Sequence, residues 1–571
     1  MNRLIFLTWI LLYISCTQSR EQVHILRIYD PSNEHQEWTK VCEDNNFLLD
    51  QRTDFSFLDE DSLNHLSAII LDQVDLNPLD HFQANALKRY LLAGGGLLHI
   101  QSKASESAQY KWPWLYHFIQ KSSTSLRINH SESYRLSPIQ KERMVQPYSL
   151  PSSSEEMLSA LKAAIGPNSF LNYDKVMEEV SPPEHWFEIQ SLASNFNEPQ
   201  EMEVLPNGDV LFIERGGGIQ LYQAEEKQVQ LLANIPVWNS QSNGLTGMAL
   251  APDFEETGWV YFLFAGKEDS THLQVARFYL EQQQIDIASK QLIFKIPIQL
   301  RLGWHGENSL AFDSKGNLYI SLGDFTLQSR DIAGYAQIDE RPGKAVHDAQ
   351  RTSANSNSLL GKILRIHPEP DGGYTIPNGN LFPQGDSLGK AEIYVMGCRN
   401  PYRFSIDPKS DILYFGEVGP DAKSDHEKGP RGYDEINVVR EAGFYGWPYF
   451  VADNKPYLDY DYTSQQVGKA FTPERPLNHS PNNTGIHTLP PAQPAILWYE
   501  KSASERFPHM NVGGMNIMAG PLYHTDLFPP SSEKLPAYYT GKMFIYDWVR
   551  NWIRVIAFDE NYEILTIEPF L

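Results

Sequence analysis

The 571 residues contain three cysteines. That count excludes a disulfide scaffold and a four-thiolate zinc site. Basic residues are also scarce: 47 Lys and Arg stand against 71 Asp and Glu, a net charge of −24. Such a balance argues against a nucleic-acid partner, which needs a basic face to neutralise phosphates. It leaves room for a local basic pocket that takes a small anion. No segment reaches the ~18 consecutive apolar residues of a membrane helix. Gly and Pro, 37 each, are near average usage, so a collagen-like or linker-dominated chain is out. Hydrophobic residues make up 41% and aromatics 12%, too many for a disordered protein. At ~100–200 residues per domain, the length suggests two to four domains, or one large repeat domain plus a smaller one.

The N-terminus reads as a targeting segment, residues 1–21. Arg3 precedes an apolar stretch at 4–14 that is too short to span a bilayer. Ile14-Ser15-Cys16 then gives way to polar residues. A small residue followed by Cys resembles a bacterial lipoprotein cleavage site, with Cys16 lipidated and made the new N-terminus. Ordinary export and a retained anchor are the alternatives. The expected location is the periplasm or outer cell envelope, with membrane attachment through lipid only.

Residues 22–170 alternate strands with helices: HILRIY at 24–29, a helix over 34–45, LSAIILDQV at 66–74, an amphipathic helix over 79–92, and a strand at 97–100. This pattern favours a parallel sheet. Gly94-Gly95-Gly96 invites a phosphate-loop reading. Such loops follow a strand and open a helix; these glycines close a helix and open a strand, which makes them a cap and turn. The segment LDQVDLNPLDHFQANALKRYLLAGGGLLHIQ, with Trp112-Pro113-Trp114, resembles a ThuA-like domain, a flavodoxin-like relative of class I glutamine amidotransferases. None of the cysteines stands at a strand-to-helix turn, so the domain is expected to be non-catalytic. A linker at 171–183 ends in Pro182-Pro183.

From 184 to 571 the texture is all-β. Turn-then-strand units recur at LPNGDVLFIERGGGIQLY, APDFEETGWVYFLFAG, DSKGNLYISLGD and DPKSDILYFGEVG. Divergent β-repeats of this length fit a propeller. Dividing the length by about four strands per blade predicts six blades.

Chemistry-bearing residues cluster in loops after strands. His305, with Asp324 closing the strand NLYISLGD, suits a general base and its orienting carboxylate. A structural hydrogen bond between strands is the plainer alternative. Arg399-Asn400 offers a donor fork for a carboxylate or quinone oxygen, or is simply an exposed turn. Gly419-Pro420 presents backbone carbonyls suited to Ca²⁺, or forms a plain turn. GFYGWP at 443–448 reads as packing and turn. Trp498-Tyr499 reads as a sugar-facing pair or as blade core.

These residues carry a second resemblance. EPQEMEVLPNGDVLFIERGGGIQLY, NGLTGMALAPDF, His305 with SLAFDSKGNLYISLGD, GCRNPYRFSIDP, EVGP, YDEINVVREAGFYGWP and YTGKMFIYDWVRNWIRV resemble the glucose/sorbosone dehydrogenase family. Those six-bladed propellers include soluble sugar dehydrogenases that use pyrroloquinoline quinone (PQQ). The resemblance implies oxidation of a sugar or related alcohol with PQQ and Ca²⁺, and a separate electron acceptor. It places the catalytic base on His305, its orienting partner on Asp324, and PQQ contacts on Arg399 and Asn400, with Arg550 as a further one. It places Ca²⁺ carbonyls on Gly419 and Pro420, and a second, structural Ca²⁺ ligand on Glu435. Four positions depart from the family pattern: Glu307 and Asn308 replace two glycines, Phe325 replaces a small polar residue, and Ser242 replaces a cofactor-contacting Gln. Some relatives keep the propeller without catalysis, so a non-catalytic envelope module that binds glycan or protein is the alternative reading.

Overall fold

A computed structural model describes residues 23–31, 37–100, 144–148, 154–165, 181–182 and 187–570, apart from 64, 73, 77, 94, 270, 299–303, 329–333 and 532–533. Cys16, the Trp112-Pro113-Trp114 segment, Pro183 and most of the expected linker lie outside the described residues. The chain divides into two compact units, Met1–Phe187 with Leu535–Tyr538, and Glu188–Lys534 with Tyr539–Leu571.

The first unit is α/β. Strands β1 (His24–Tyr29), β2 (Leu48–Arg52), β3 (Ala68–Asp72), β4 (Gly96–Ile100) and β5 (Met144–Tyr148) form one parallel sheet in the order β2-β1-β3-β4-β5. That is the flavodoxin-like order. Successive residues of β1 face opposite sides, as strand geometry requires. Ile25 joins a core with Trp38 and Val41 of α1 (Glu37–Asp44), and Leu26 joins one with Leu87 and Leu91 of the helix His81–Leu92. That helix begins with a capping box, in which Asp80 and Gln83 each accept the other's backbone N–H. It closes at Ala93, and Gly96 opens β4, so the described glycines form a turn out of the helix.

The second unit carries antiparallel four-stranded blades, stacked in chain order. Blade I spans 199–234, blade II 245–297, blade IV 404–439 plus Leu497–Tyr499, and blade V 517–569. Blade III spans 310–396; it has four antiparallel strands, the parallel addition Gly443–Phe444, and the two-residue strand Tyr374–Thr375 paired on its third strand. Each of the four turn units found in the sequence is the hairpin between the first and second strands of blades I to IV. In blade III the side chain of Asp313 accepts the N–H groups of Lys315 and Asn317, folding the turn around one carboxylate. Apolar residues from neighbouring blades interlock. Met248 and Phe262 of blade II pack on Leu211 and Ile213 of blade I, and Leu263 and Val275 pack on Ile320 and Leu364 of blade III.

Five blades, rather than six, are present among the described residues. Even division of the length overcounts because two long stretches build no blade. The described residues of 323–361 form no blade strand and hold two short 3₁₀ turns, and 445–496 contribute two small hairpins. Innermost strands of blades I, III, IV and V line a cavity of about 1110 Å³, with Met202, Val204, Phe312, Phe404 and Ala519 in its wall.

Candidate active site

The loops that leave blades III and IV converge on one buried carboxylate. Asp324 lies one glycine beyond the second strand of blade III, Leu318–Leu322, and is fully buried. One of its oxygens, Oδ1, accepts His305 Nδ1–H at 2.7 Å and the Thr326 N–H at 3.0 Å. The other, Oδ2, accepts the indole N–H of Trp447 at 3.0 Å. Its backbone N–H donates to the Arg399 carbonyl at 2.8 Å. Burial pushes this carboxyl up. The charges of His305 and Arg399 and the hydrogen bonds together outweigh burial and hold it below the usual carboxylate range.

His305 is buried and takes a left-handed backbone, φ 56°. Gly323 makes room for it: a Cβ there would stand 2.1 Å from the His305 carbonyl oxygen. With the Nδ1 proton directed to Asp324, Nε2 is left as the ring's acceptor.

Arg399 is buried beside this pair. Its backbone N–H and that of Asn400 both donate to Glu417 Oε1, at 3.0 and 2.5 Å. One terminal nitrogen donates to the Val418 carbonyl at 2.8 Å, and the guanidinium lies 5.9 Å from the centre of a Trp447 ring. Arg399 Nε, Asn400 Oδ1 and Asn308 Oδ1 are buried with no hydrogen-bond partner among the described residues. So is one terminal nitrogen of Arg351, a residue with electrostatic reach to Asp324. Orphaned buried polar atoms are costly, so each of these has capacity for a polar partner.

Gly419 donates its N–H to Asp434 Oδ1 at 3.0 Å. The Gly419 and Pro420 carbonyls receive no hydrogen bond from the described residues. The Pro420 oxygen packs directly against Gly432, where a Cβ would stand 1.5 Å from it, so only glycine allows this approach.

Other expected site residues are engaged elsewhere. Every donor of Arg550 is taken by a carbonyl: Nε by Gly514, the terminal nitrogens by Met510, Asn511, Glu500 and Gly513. It ties down the 500–514 loop beneath blade V. Glu435 accepts the Ala452 N–H, and burial pushes its carboxyl up to about 8. No group of three or more His, Cys, Asp or Glu side chains able to hold a metal occurs among the described residues. Phe325 packs in the core between blades II and III, so its bulk stays out of the site. Ser242 accepts the Gly306 N–H at 3.0 Å and hydrogen-bonds Glu307. Burial raises the Glu307 carboxyl, against the pull of His305, Ser242 and Arg215. Trp498 packs on Phe507, and Tyr499 donates its hydroxyl proton to Asp547 at 2.6 Å; both are blade packing.

Sequence reasoning missed Trp447, Glu417 and Arg351. GFYGWP was read as packing and turn, and Glu417 was given no role of its own; nothing local shows which backbone or carboxylate each one meets.

A model of the glucose/sorbosone dehydrogenase family matches residues 196–515. An aldose sugar dehydrogenase of Escherichia coli (strain K12) is 28% identical over 264 residues, 46% of this chain and 61% of its own. Quinoprotein glucose dehydrogenase B of Acinetobacter calcoaceticus is 26% identical over 280 residues, 46% of this chain and 52% of its own. This chain therefore spans less than two thirds of either relative's length. The PQQ-bound aldose sugar dehydrogenase of Streptomyces coelicolor aligns with 67% of this chain and 84% of its own at 19% identity, with a TM-score of 0.43. With the family model matching more than half of its residues, the chain belongs to the glucose/sorbosone dehydrogenase family.

Proposed function

We propose that the propeller oxidises a sugar or related alcohol, with PQQ held at Arg399 and Asn400 and electrons leaving to a separate acceptor. The observation that carries this reading is the buried 2.7 Å hydrogen bond between His305 and Asp324, set beside an arginine whose Nε has no partner among the described residues. Arg399 Nε suits a cofactor carboxylate or quinone oxygen, and the Asn400 and Asn308 oxygens suit hydroxyl or ring N–H donors. The Gly419 and Pro420 carbonyls are oxygen donors of the type Ca²⁺ takes. Bound there, the quinone supplies the two-electron acceptor for the substrate's carbinol carbon.

The chain's own residues handle the proton. His305 Nε2 takes it from the substrate hydroxyl, and Asp324 stabilises the resulting imidazolium. Glu307 adds a second acid next to His305, which favours a substrate other than plain glucose. The test is turnover on a panel of aldoses with PQQ and Ca²⁺, wild type against His305→Ala. Loss of ~10²-fold or more is expected for a missing general base, and wild-type turnover in the variant would turn the reading towards a binding module.

The first unit is assigned as ThuA-like and non-catalytic. Its described cysteine, Cys42, is buried in α1 with its thiol pushed up to about 11 by burial, the reverse of a nucleophile. Export to the envelope on a lipidated Cys16 completes the proposal; Cys16→Ser is expected to move the protein from the membrane fraction to the soluble one.

A further inference from the structure

We infer that Trp447 is a positioning residue for the His305–Asp324 pair, acting through its indole N–H; this rests on the reading of His305 as the base. The carboxylate of Asp324 has two oxygens with different tasks. Oδ1 carries the His305 and Thr326 bonds, while Oδ2 has Trp447 as its one donor among the described residues. Without a donor on Oδ2, the two bonds on Oδ1 alone restrain the carboxylate's terminal torsion, which has broad wells. The indole bond fixes that rotation and so fixes the plane in which the His305 ring must lie.

Trp447 is itself held on three sides. Its backbone N–H donates to the Gly397 carbonyl at 3.0 Å, its ring meets Tyr457 edge-on at 6.3 Å, and the Arg399 guanidinium lies over the ring at 5.9 Å. The tryptophan thus spans from the orienting carboxylate to the arginine assigned to the cofactor. A packing residue would need only the ring, whereas this geometry uses the nitrogen.

The indole N–H also withdraws charge from Asp324. Its removal leaves more of the negative charge to be shared with His305, which favours the imidazolium. Glu307 faces His305, and Arg399, Arg351 and Lys362 face Asp324. All of these remain in a Trp447 variant, so the change at His305 reports the lost bond.

The experiment is site-resolved carbethoxylation of His305 by diethylpyrocarbonate, followed across pH by mass spectrometry in the full chain without cofactor or sugar. Three proteins are compared with wild type: Trp447→Phe, Tyr457→Leu, and one with benzothienylalanine at 447, which keeps the bicyclic ring and lacks the N–H. The midpoint at His305 is expected to rise by about half a unit or more in both Trp447 variants, a modest share of a charge-assisted bond. Tyr457→Leu, which removes packing from the indole, is expected to leave it in place. An unchanged midpoint in the folded benzothienylalanine protein overturns the inference, even if Trp447→Phe fails to fold. A shifted midpoint together with wild-type turnover in His305→Ala would keep the positioning role and remove the base.

Discussion

Replacing Asp324 by Asn changes one atom and should break the site in a defined way. Three donors converge on the carboxylate: His305 Nδ1 at 2.7 Å, Thr326 N at 3.0 Å and Trp447 Nε1 at 3.0 Å. An amide has one acceptor oxygen and an NH₂ that donates. With the NH₂ towards Trp447, two N–H groups face each other and the buried indole loses its acceptor. With the NH₂ towards His305, the imidazole must offer a bare Nδ1 and carry its proton on Nε2, which removes the base. Either arrangement leaves at least one buried donor unpaired, at a cost of about 1–3 kcal/mol. The wild-type advantage also depends on pH with a fixed sign. Because the folded carboxyl is held below its usual value, its contribution is fully present above the unfolded value of about 4. It is lost as pH falls through the folded value. Urea unfolding followed by fluorescence should therefore show the Asp324→Asn variant less stable than wild type at pH 7, with the gap closing in acid. Equal unfolding midpoints at pH 7, or a gap that widens in acid, would refute this reasoning.

Two further substitutions separate structural roles from ligand binding. Arg550→Lys removes most of the five carbonyl contacts under blade V, so its urea midpoint should fall while PQQ affinity stays at the wild-type value; a selective loss of PQQ affinity would return Arg550 to the site. Glu435→Gln should match wild type near pH 4 and become progressively the more stable protein up to about pH 8, because the wild-type carboxyl is held protonated by burial while its unfolded form ionises near 4.3. A stability difference that does not change across that window, measured by urea unfolding at several pH values, would contradict the assignment of a buried neutral acid.

What was legible in the sequence follows from the range of each signal. The hairpin turns were readable because side chains such as Asp313 and Asp407 satisfy N–H groups two to four residues away, a local requirement that leaves a local pattern. The parallel sheet was readable because apolar strands alternate with amphipathic helices. Blade number was not, since it depends on whether 323–361 and 445–496 form strands or loops, and that is decided by packing. Blade V also lacks the turn signature: its first hairpin crosses from Tyr523 to Lys542 through a long loop. The His305–Asp324 pair was visible as two residues 19 positions apart, each in a loop beside a strand. Trp447 lies 123 positions from the carboxylate it binds, and no periodicity reaches that far. The direction of the Phe325 side chain was not legible for a related reason. Adjacent residues can face opposite ways, and φ 50° at Phe325 turns its ring into the core while Asp324 faces the histidine.

The central claim is that the loops around Arg399 bind the quinone and that His305 acts on substrate. Equilibrium titration of the full chain with PQQ in the presence of Ca²⁺, followed by absorbance, tests it most directly in wild type, Arg399→Ala and His305→Ala. The account predicts stoichiometric binding by wild type, binding largely retained in His305→Ala, and weakened binding in Arg399→Ala. No binding by the wild type at micromolar PQQ, or equal binding by all three, would contradict it.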